Sequence, residues 1–333
     1  MIMMKNKPVC YDNSYKHAEI FPGVPSFLGL PVAKTPADLN AADFAIMGVP
    51  WEGVCTYGGP SYVENATKSV RLSSIRYGGY MPELDFDLFD HFSGVDYGDA
   101  AVKNGDWNFT ANSAKTHLAS VLNANSIPII FGGDHSLSYP LIETFAKKYD
   151  GNIGIVHFDA HMDNMDSYGD SKVARCCPFH RIYDISGFTA KNLVSIGIRG
   201  PRNHFASIAE AEKYGASVIT SFEVKKNGPK SSIQKALNIA TKDTKALYVS
   251  VCSDVLDIAH NPGGPADPCG LSTYELAIML HECGLAGAKG FDYMEIYPPK
   301  DYHDQSAHVA CWMSLYIMNG MAQNLLLKTK NSH

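Results

Sequence analysis

The sequence has no apolar run long enough to cross a bilayer, no CxxC pair and only 19% charged residues. It also lacks the GxGxxG of dinucleotide loops, the Walker phosphate loop and the GxSxG nucleophile elbow, so those three chemistries are without their motif. No internal repeat, heptad run or low-complexity tract is present. Positive charge is in short supply: 28 Lys and Arg stand against 34 Asp and Glu, a net charge of −6 over 333 residues. That balance argues against a nucleic-acid partner or a membrane surface as partner. An apolar fraction of 45% excludes wholesale disorder and suits a chain with a large core. The first residues, MIMMKNKPVCYDNSYKH, carry little positive charge and no apolar stretch. A cytoplasmic location is therefore expected. There the eight cysteines would be reduced thiols rather than a disulfide scaffold.

What is there is a series of buried-strand signatures. ADFAIMGVP, SIPIIFGG, NIGIVHFDAH, NLVSIGIRG, ASVIT, ALYVSVCSD and AKGFDYMEIYPP are continuous apolar runs, not alternations. Strands of that kind are covered on both faces, which predicts a parallel sheet. Helical patterns lie between them, at 61–75, 111–124, 138–149, 204–214, 230–243, 272–284 and 303–327. Ser272 followed by Glu275 reads as a capping box. The alternation predicts repeated β-α units. Residues 1–42, rich in Pro and Gly, read as an N-terminal extension, and 43–333 as one α/β domain. The stretch 82–108 reads as an irregular excursion near the sheet edge.

Chemistry-bearing residues cluster just after three strands: GGDHS at 132–136, DAHMD at 159–163 and SDVLD at 253–257. Neighbouring strands of an open parallel sheet converge on a crevice at their carboxyl ends. Buried charge there must be paired or metal-bound. If the chain stays extended, Asp159, His161 and Asp163 point to one side. His135 adds an imidazole and Asp254 a carboxylate. A mixed nitrogen and oxygen set suits Mn, Ni, Fe or Zn better than Ca or Mg.

With GGDHS, DAHMD and GFDYMEIYPP at 290–299, the sequence resembles the ureohydrolase family over residues 40–327: arginases, agmatinases and their guanidino-acid and formiminoglutamate relatives. The resemblance implies a three-layer α/β/α arginase-like fold with an eight-stranded, mostly parallel sheet. It implies Mn2+ or Ni2+, one or two ions per chain, and hydrolysis of a guanidine or amidine C–N bond by a metal-bridging hydroxide. It also implies trimers or hexamers. Position by position, His135, Asp159, His161, Asp163 and Asp254 match metal ligands, with Asp159 bridging, and Glu295 matches a residue that pairs with the substrate's guanidinium. Asp134 would orient His135 or its loop, and Asp257 would stand behind the ligands.

Three departures from the family pattern bear on activity. Cys252 stands where D-x-D-x-x-D has its first carboxylate; it is either a soft ligand, included here among the metal candidates, or a buried space-filler. Arg175 replaces the histidine of S-H-G-T-x-F, and arginine is a poor proton shuttle. It would instead bind a carboxylate or repel a cation. His180 is the nearby substitute, so the catalytic candidates are Asp163, Glu295, Arg175 and His180. The loop at 58–71, GGPSYVENATKSVR, has lost most of the pattern R-P-G-x-R-x-G-P-x-x-I-R. Trp51, Tyr57 and Tyr62 form either an aromatic wall suited to an alkylated guanidine or biguanide, or ordinary packing. The expected function is hydrolysis of a small guanidino compound, agmatinase-like, by a homo-oligomer. The alternative is a non-catalytic subunit supporting a catalytic paralogue in a hetero-oligomer. The final apolar helix either meets a neighbour or covers the sheet.

Overall fold

A computed structural model describes residues 25–56 and 59–331. Cys10, Tyr57 and most of the expected N-terminal extension lie outside the described residues. The strands are β1 (Phe44–Val49), β2 (Tyr80–Met81), β3 (Phe86–Asp87), β4 (Gly94–Asp99), β5 (Ile127–Gly132), β6 (Ile153–Phe158), β7 (Leu193–Ile198), β8 (Ser217–Thr220), β9 (Ala246–Cys252) and β10 (Ala288–Met294). Eight of them form one parallel sheet in the order β4-β1-β5-β10-β9-β6-β7-β8, while β2 and β3 make a separate small hairpin.

Both sheet faces are buried, which is why the strands read as unbroken apolar runs. Phe44, Ile46, Ile129, Phe131, Val249 and Val251 face one layer. Met47, Ile130, Ile155 and Tyr248 face the other. The first layer is built by α1 (Ala66–Ser74), α6 (Ser221–Asn227), α7 (Pro229–Ala240), α8 (Thr273–Leu285) and α9 (Gln305–Asn331). The second is built by α2 (Trp107–Asn123), α3 (Ser138–Lys148), α4 (Pro178–Ile182) and α5 (Phe205–Tyr214). The arrangement is three-layer α/β/α, as the family resemblance implies. α9 buries Ala310, Cys311, Ile317 and Met318 against this chain's own core, so that helix covers the sheet. Among the described residues no helix is long and apolar enough to cross a membrane.

The eighth strand, β4, falls inside the stretch read as irregular. Its sequence GVDYGD has too few apolar residues to signal a strand; the fold makes it an edge strand beside β1. Arg71 fixes it, with Nε 2.8 Å from one oxygen of Asp96 and Nη2 2.9 Å from the other. Its Nη1 also donates to Asp99. Arg71→Ala leaves the Asp96 carboxylate buried and unpaired, so a loss of about 3–5 kcal/mol is expected by denaturant unfolding. An unchanged midpoint would contradict this account of the edge.

Candidate metal centre

Four adjacent central strands, β5, β10, β9 and β6, run parallel and end on one edge of the sheet. Their next residues are those singled out above. After β5 the chain turns at Gly133, where an added Cβ would sit 1.8 Å from the Trp51 carbonyl oxygen; a side chain has no room there. Asp134 accepts hydrogen bonds from Ser136 N at 3.0 Å and from Gly53 N at 2.5 Å. It therefore pins the loop and leaves the His135 ring to other partners.

The His135 ring is fixed from both ends. Nδ1 lies 3.0 Å from Asp159 Oδ2 and 2.9 Å from Asp163 Oδ2. Nε2 lies 3.2 Å from Ser250 Oγ, and Ser250 donates its own proton to Asp292 at 2.6 Å. Ser250 therefore accepts from Nε2–H, and it is Nδ1 that faces the two carboxylates. Such a nitrogen needs a cation between it and its acidic neighbours, either a proton or a metal ion. Burial alone would lower the His135 pKa, but Asp159 and Asp163 hold it well above the usual imidazole value.

Asp159 joins two groups. His135, His157 and Asp159 form one set of converging ligand atoms; Asp159, His161 and Asp254 form another. His161 Nδ1 is 3.0 Å from Asp254 Oδ2 and 3.4 Å from Asp159 Oδ1, while its Nε2 points to Asp267 at 3.5 Å. Asp254 also accepts from Ala160 N at 3.0 Å, which locks the β6 loop to the end of β9. Asp159, His161 and Asp163 do not line one side of an extended strand: β6 stops at Phe158 and Asp163 adopts φ +43. That left-handed turn returns the Asp163 carboxylate to His135, while His161 serves the second group. Mutual repulsion marks the cluster. Burial and the neighbouring Asp159 push the Asp163 carboxyl up to about 7, and burial with Asp159 also raises Asp254. Two converging sets, His135, His157 and Asp159 on one side and Asp159, His161 and Asp254 on the other, could hold metal ions.

His157 is the residue the sequence reading passed over. It is fully buried on β6, with Nε2 3.0 Å from Asp159 Oδ2 and Nδ1 3.1 Å from Ser195 Oγ. Its ring stacks on Phe179 at 3.7 Å, and burial lowers its pKa to about 4, so it stays neutral. The signal was available: His157 precedes Asp159 by two and shares its side of the strand.

The remaining candidates separate. Cys252 is buried at the end of β9 and lines the same cleft, but it belongs to neither converging set. Burial and the surrounding carboxylates of Asp159, Asp254 and Glu295 hold its thiol well above the usual value, hence protonated. Glu295, at φ +66 just past β10, is not open: Oε1 accepts from His135 N at 2.8 Å and Oε2 from Arg175 Nη1 at 2.8 Å. His180 is not brought to the cleft. It lies on α4 one residue past Phe179, so it turns away, 3.3 Å from Asp166 and 3.1 Å from Glu210. Asp257 closes its own loop by accepting from Ala259 N at 3.0 Å and Gly270 N at 3.1 Å, away from the ligands. Trp51 is buried beside Trp107, with ring centroids 5.9 Å apart, and Tyr62 stands outside the cleft. Among the described residues, the tyrosines that line the cleft, a cavity of about 270 Å³, are Tyr168 and Tyr297.

A pH dependence follows from Asp163. Its pKa in the fold lies above its unfolded value, so between about pH 4 and 7 the metal-free fold binds more protons than the unfolded chain. This group's contribution to stability is thus lost as pH rises through that window. A bound ion must displace the same proton. Because the ion also takes the place of the proton on His135 Nδ1, Mn2+ affinity should rise by more than about tenfold per pH unit toward neutrality, with more than one proton released at this site. Calorimetry in buffers of different ionisation heat checks this, and an affinity flat across that range contradicts it.

Known proteins resemble this chain over most of its length. A model described as the arginase family matches residues 42–319. Agmatinase of Bacillus subtilis is 31% identical over 279 residues, covering 81% of this chain and 88% of its own length. Proclavaminate amidinohydrolase of Streptomyces clavuligerus is 30% identical over 283 residues, covering 84% and 87%. The solved structure of the latter enzyme aligns with a TM-score of 0.84 at 27% identity, over 91% of this chain and 98% of its own. A formimidoylglutamase structure from Bacillus subtilis, 24% identical with a TM-score of 0.81, shares the fold. With its matched region spanning all eight strands of the sheet and every ligand-type residue described above, the chain belongs to the arginase family.

Proposed function

We propose that the chain is a metal-dependent hydrolase that cleaves the C–N bond of a linear amidine or guanidine, releasing urea or a related amide and an amine. The observation that carries this reading is Asp159, one carboxylate shared by two converging His/Asp groups at the strand-end crevice. Bound there, one or two divalent ions would supply Lewis acidity and a nucleophile at neutral pH. His135 and Asp163 would hold one side and His161 and Asp254 the other, with the His135 ring fixed at its far nitrogen by Ser250. His157 stays neutral and steadies Asp159. The Arg175 guanidinium is held protonated by Glu295 and Asp134, so it takes no part in proton transfer.

The test is ion content after loading with Mn2+ or Ni2+, followed by urea and ammonia release from a panel of guanidines, with agmatine and biguanides among them. Two ions per chain with turnover support the proposal. No retained ion under saturating metal overturns it.

The contact of Arg175 with Glu295, together with the protonated Cys252, favours a second reading: a subunit that supports a catalytic paralogue in a hetero-oligomer. A stoichiometric, tightly held related chain on purification from the native source supports this. A homo-oligomer that turns over unaided excludes it.

A further inference from the structure

Arg175 sits in a cradle shaped for a guanidinium. Nη1 donates to Glu295 Oε2 at 2.8 Å and to Tyr297 Oη at 3.0 Å. Ser61 Oγ is 3.4 Å from both Nη1 and Nη2, and Nε donates to the Val54 carbonyl at 3.4 Å. Glu52 lies 3.5 Å and Asp134 3.9 Å from Nη2. Acceptors thus meet all three nitrogens of a planar fork, a geometry an ammonium cannot match. Three carboxylates surround one positive charge, so the cradle requires a cation. The side chain is only 5% exposed, yet it lines the same cavity as Asp163, Cys252 and Asp254.

Glu295 is filled from within. Its Oε2 also accepts from Tyr297 Oη at 2.6 Å, and its Oε1 is taken by His135 N. A guanidinium entering the cleft would find the carboxylate beside the candidate metal centre already holding one. Arg175 belongs to neither a helix nor a strand; it lies in the segment that leads into α4, so it can withdraw without breaking a regular element.

We infer that Arg175 is an intramolecular competitor for guanidinium, and that residue 175 therefore sets whether this cleft receives guanidinium compounds. The inference takes from the proposed function only that the substrate is a guanidine or amidine; where its guanidinium would sit is read from the cradle itself. Wild-type protein binds guanidinium compounds weakly, because each must displace Arg175; removing the side chain leaves a cradle that takes them from solution.

The experiment uses the full chain with Arg175→Ala and Arg175→Gln, titrated with low-millimolar guanidinium chloride or agmatine against equal sodium chloride, read by thermal melting and calorimetry. A site open a fraction f of the time binds 1/f-fold more weakly, so a plug withdrawn less than one time in ten predicts at least about tenfold tighter guanidinium binding by the variants. The variants should melt lower than wild type and recover with saturable dependence on guanidinium. That recovery should vanish in Arg175→Ala combined with Glu295→Gln. If the alanine variant does not fold, Arg175→Lys keeps the charge without the fork and should show the same contrast to a lesser degree. No saturable recovery in a folded variant, or equal binding by wild type, overturns the inference. Ion content of the same samples separates the two proposals. Ion loading and guanidine turnover without any response at residue 175 leave the hydrolase standing and sink the competitor. Guanidinium rescue in a chain that retains no ion does the reverse.

Discussion

Asp159→Asn should abolish ion retention at both halves of the centre together. Asp159 is common to the two converging groups, with Oδ2 3.0 Å from His135 Nδ1 and from His157 Nε2, and Oδ1 3.4 Å from His161 Nδ1. The amide keeps an oxygen but loses the charge, and its NH2 would be turned on one side toward an imidazole or an ion. Removing a residue that merely supports a ligand costs about 10–100-fold in metal affinity, so loss of a carboxylate shared by two groups should exceed about a hundredfold. In the wild type, the imidazoles of His135, His157 and His161 overcome burial and hold the Asp159 carboxyl well below its usual value, so it is ionised at every working pH. The measurement is Mn2+ titration by calorimetry, with ion content by mass spectrometry. Asp257→Asn is the control, since that carboxylate only closes its own loop and should leave both readouts unchanged. If Asp159→Asn keeps half the ions, the two groups are independent and the shared-carboxylate account fails.

The sequence made the sheet legible because its faces are both buried. Seven strands announced themselves as apolar runs, and the carboxyl ends of three of them carried the acidic and imidazole residues that the fold brings into one crevice. β4 escaped notice because its apolar content is low and its order comes from a partner outside the strand, Arg71 on α1. The start of α1 was read five residues early, at 61 instead of Ala66. Tyr62 takes φ 57, and Glu52 accepts from Tyr62 N at 2.9 Å and from Ser61 Oγ at 2.6 Å, which holds those residues in a loop. Spacing correctly gathered Asp159, His161 and Asp163 but assumed an extended chain; a left-handed Asp163 has no signature in a one-dimensional pattern. The contact of Arg175 with Glu295 joins residues 120 positions apart, so local reading could name each residue and not the pair.

Cys252→Asp should change sign with metal. The side chain is buried at the end of β9, and Asp159, Asp254, Glu295 and Asp163 together already raise the pKa of its thiol. A fifth carboxyl in that company finds the nearby cations, the His135 imidazolium and the Arg175 guanidinium, already engaged by Asp159, Asp163 and Glu295 in the metal-free chain. It must stay protonated or stand unpaired, at a cost of about 3 kcal/mol if charged and less if protonated. The melting temperature in chelator should therefore fall, by several degrees for a chain this long. With Mn2+ present the same oxygen becomes useful. A carboxylate suits Mn better than a protonated thiol does, and each tenfold gain in affinity adds about 1.4 kcal/mol once the ion is in excess. The variant should thus melt below wild type in chelator and at or above it in excess Mn2+, with the ion count per chain rising if wild type holds fewer than two. Zn2+ should show a smaller gain than Mn2+, because sulfur already serves the softer ion. Paired melts in chelator, Mn2+ and Zn2+ read all three arms. A uniform loss in every condition would mean that Cys252 fills space behind the centre and that a carboxylate there cannot reach an ion.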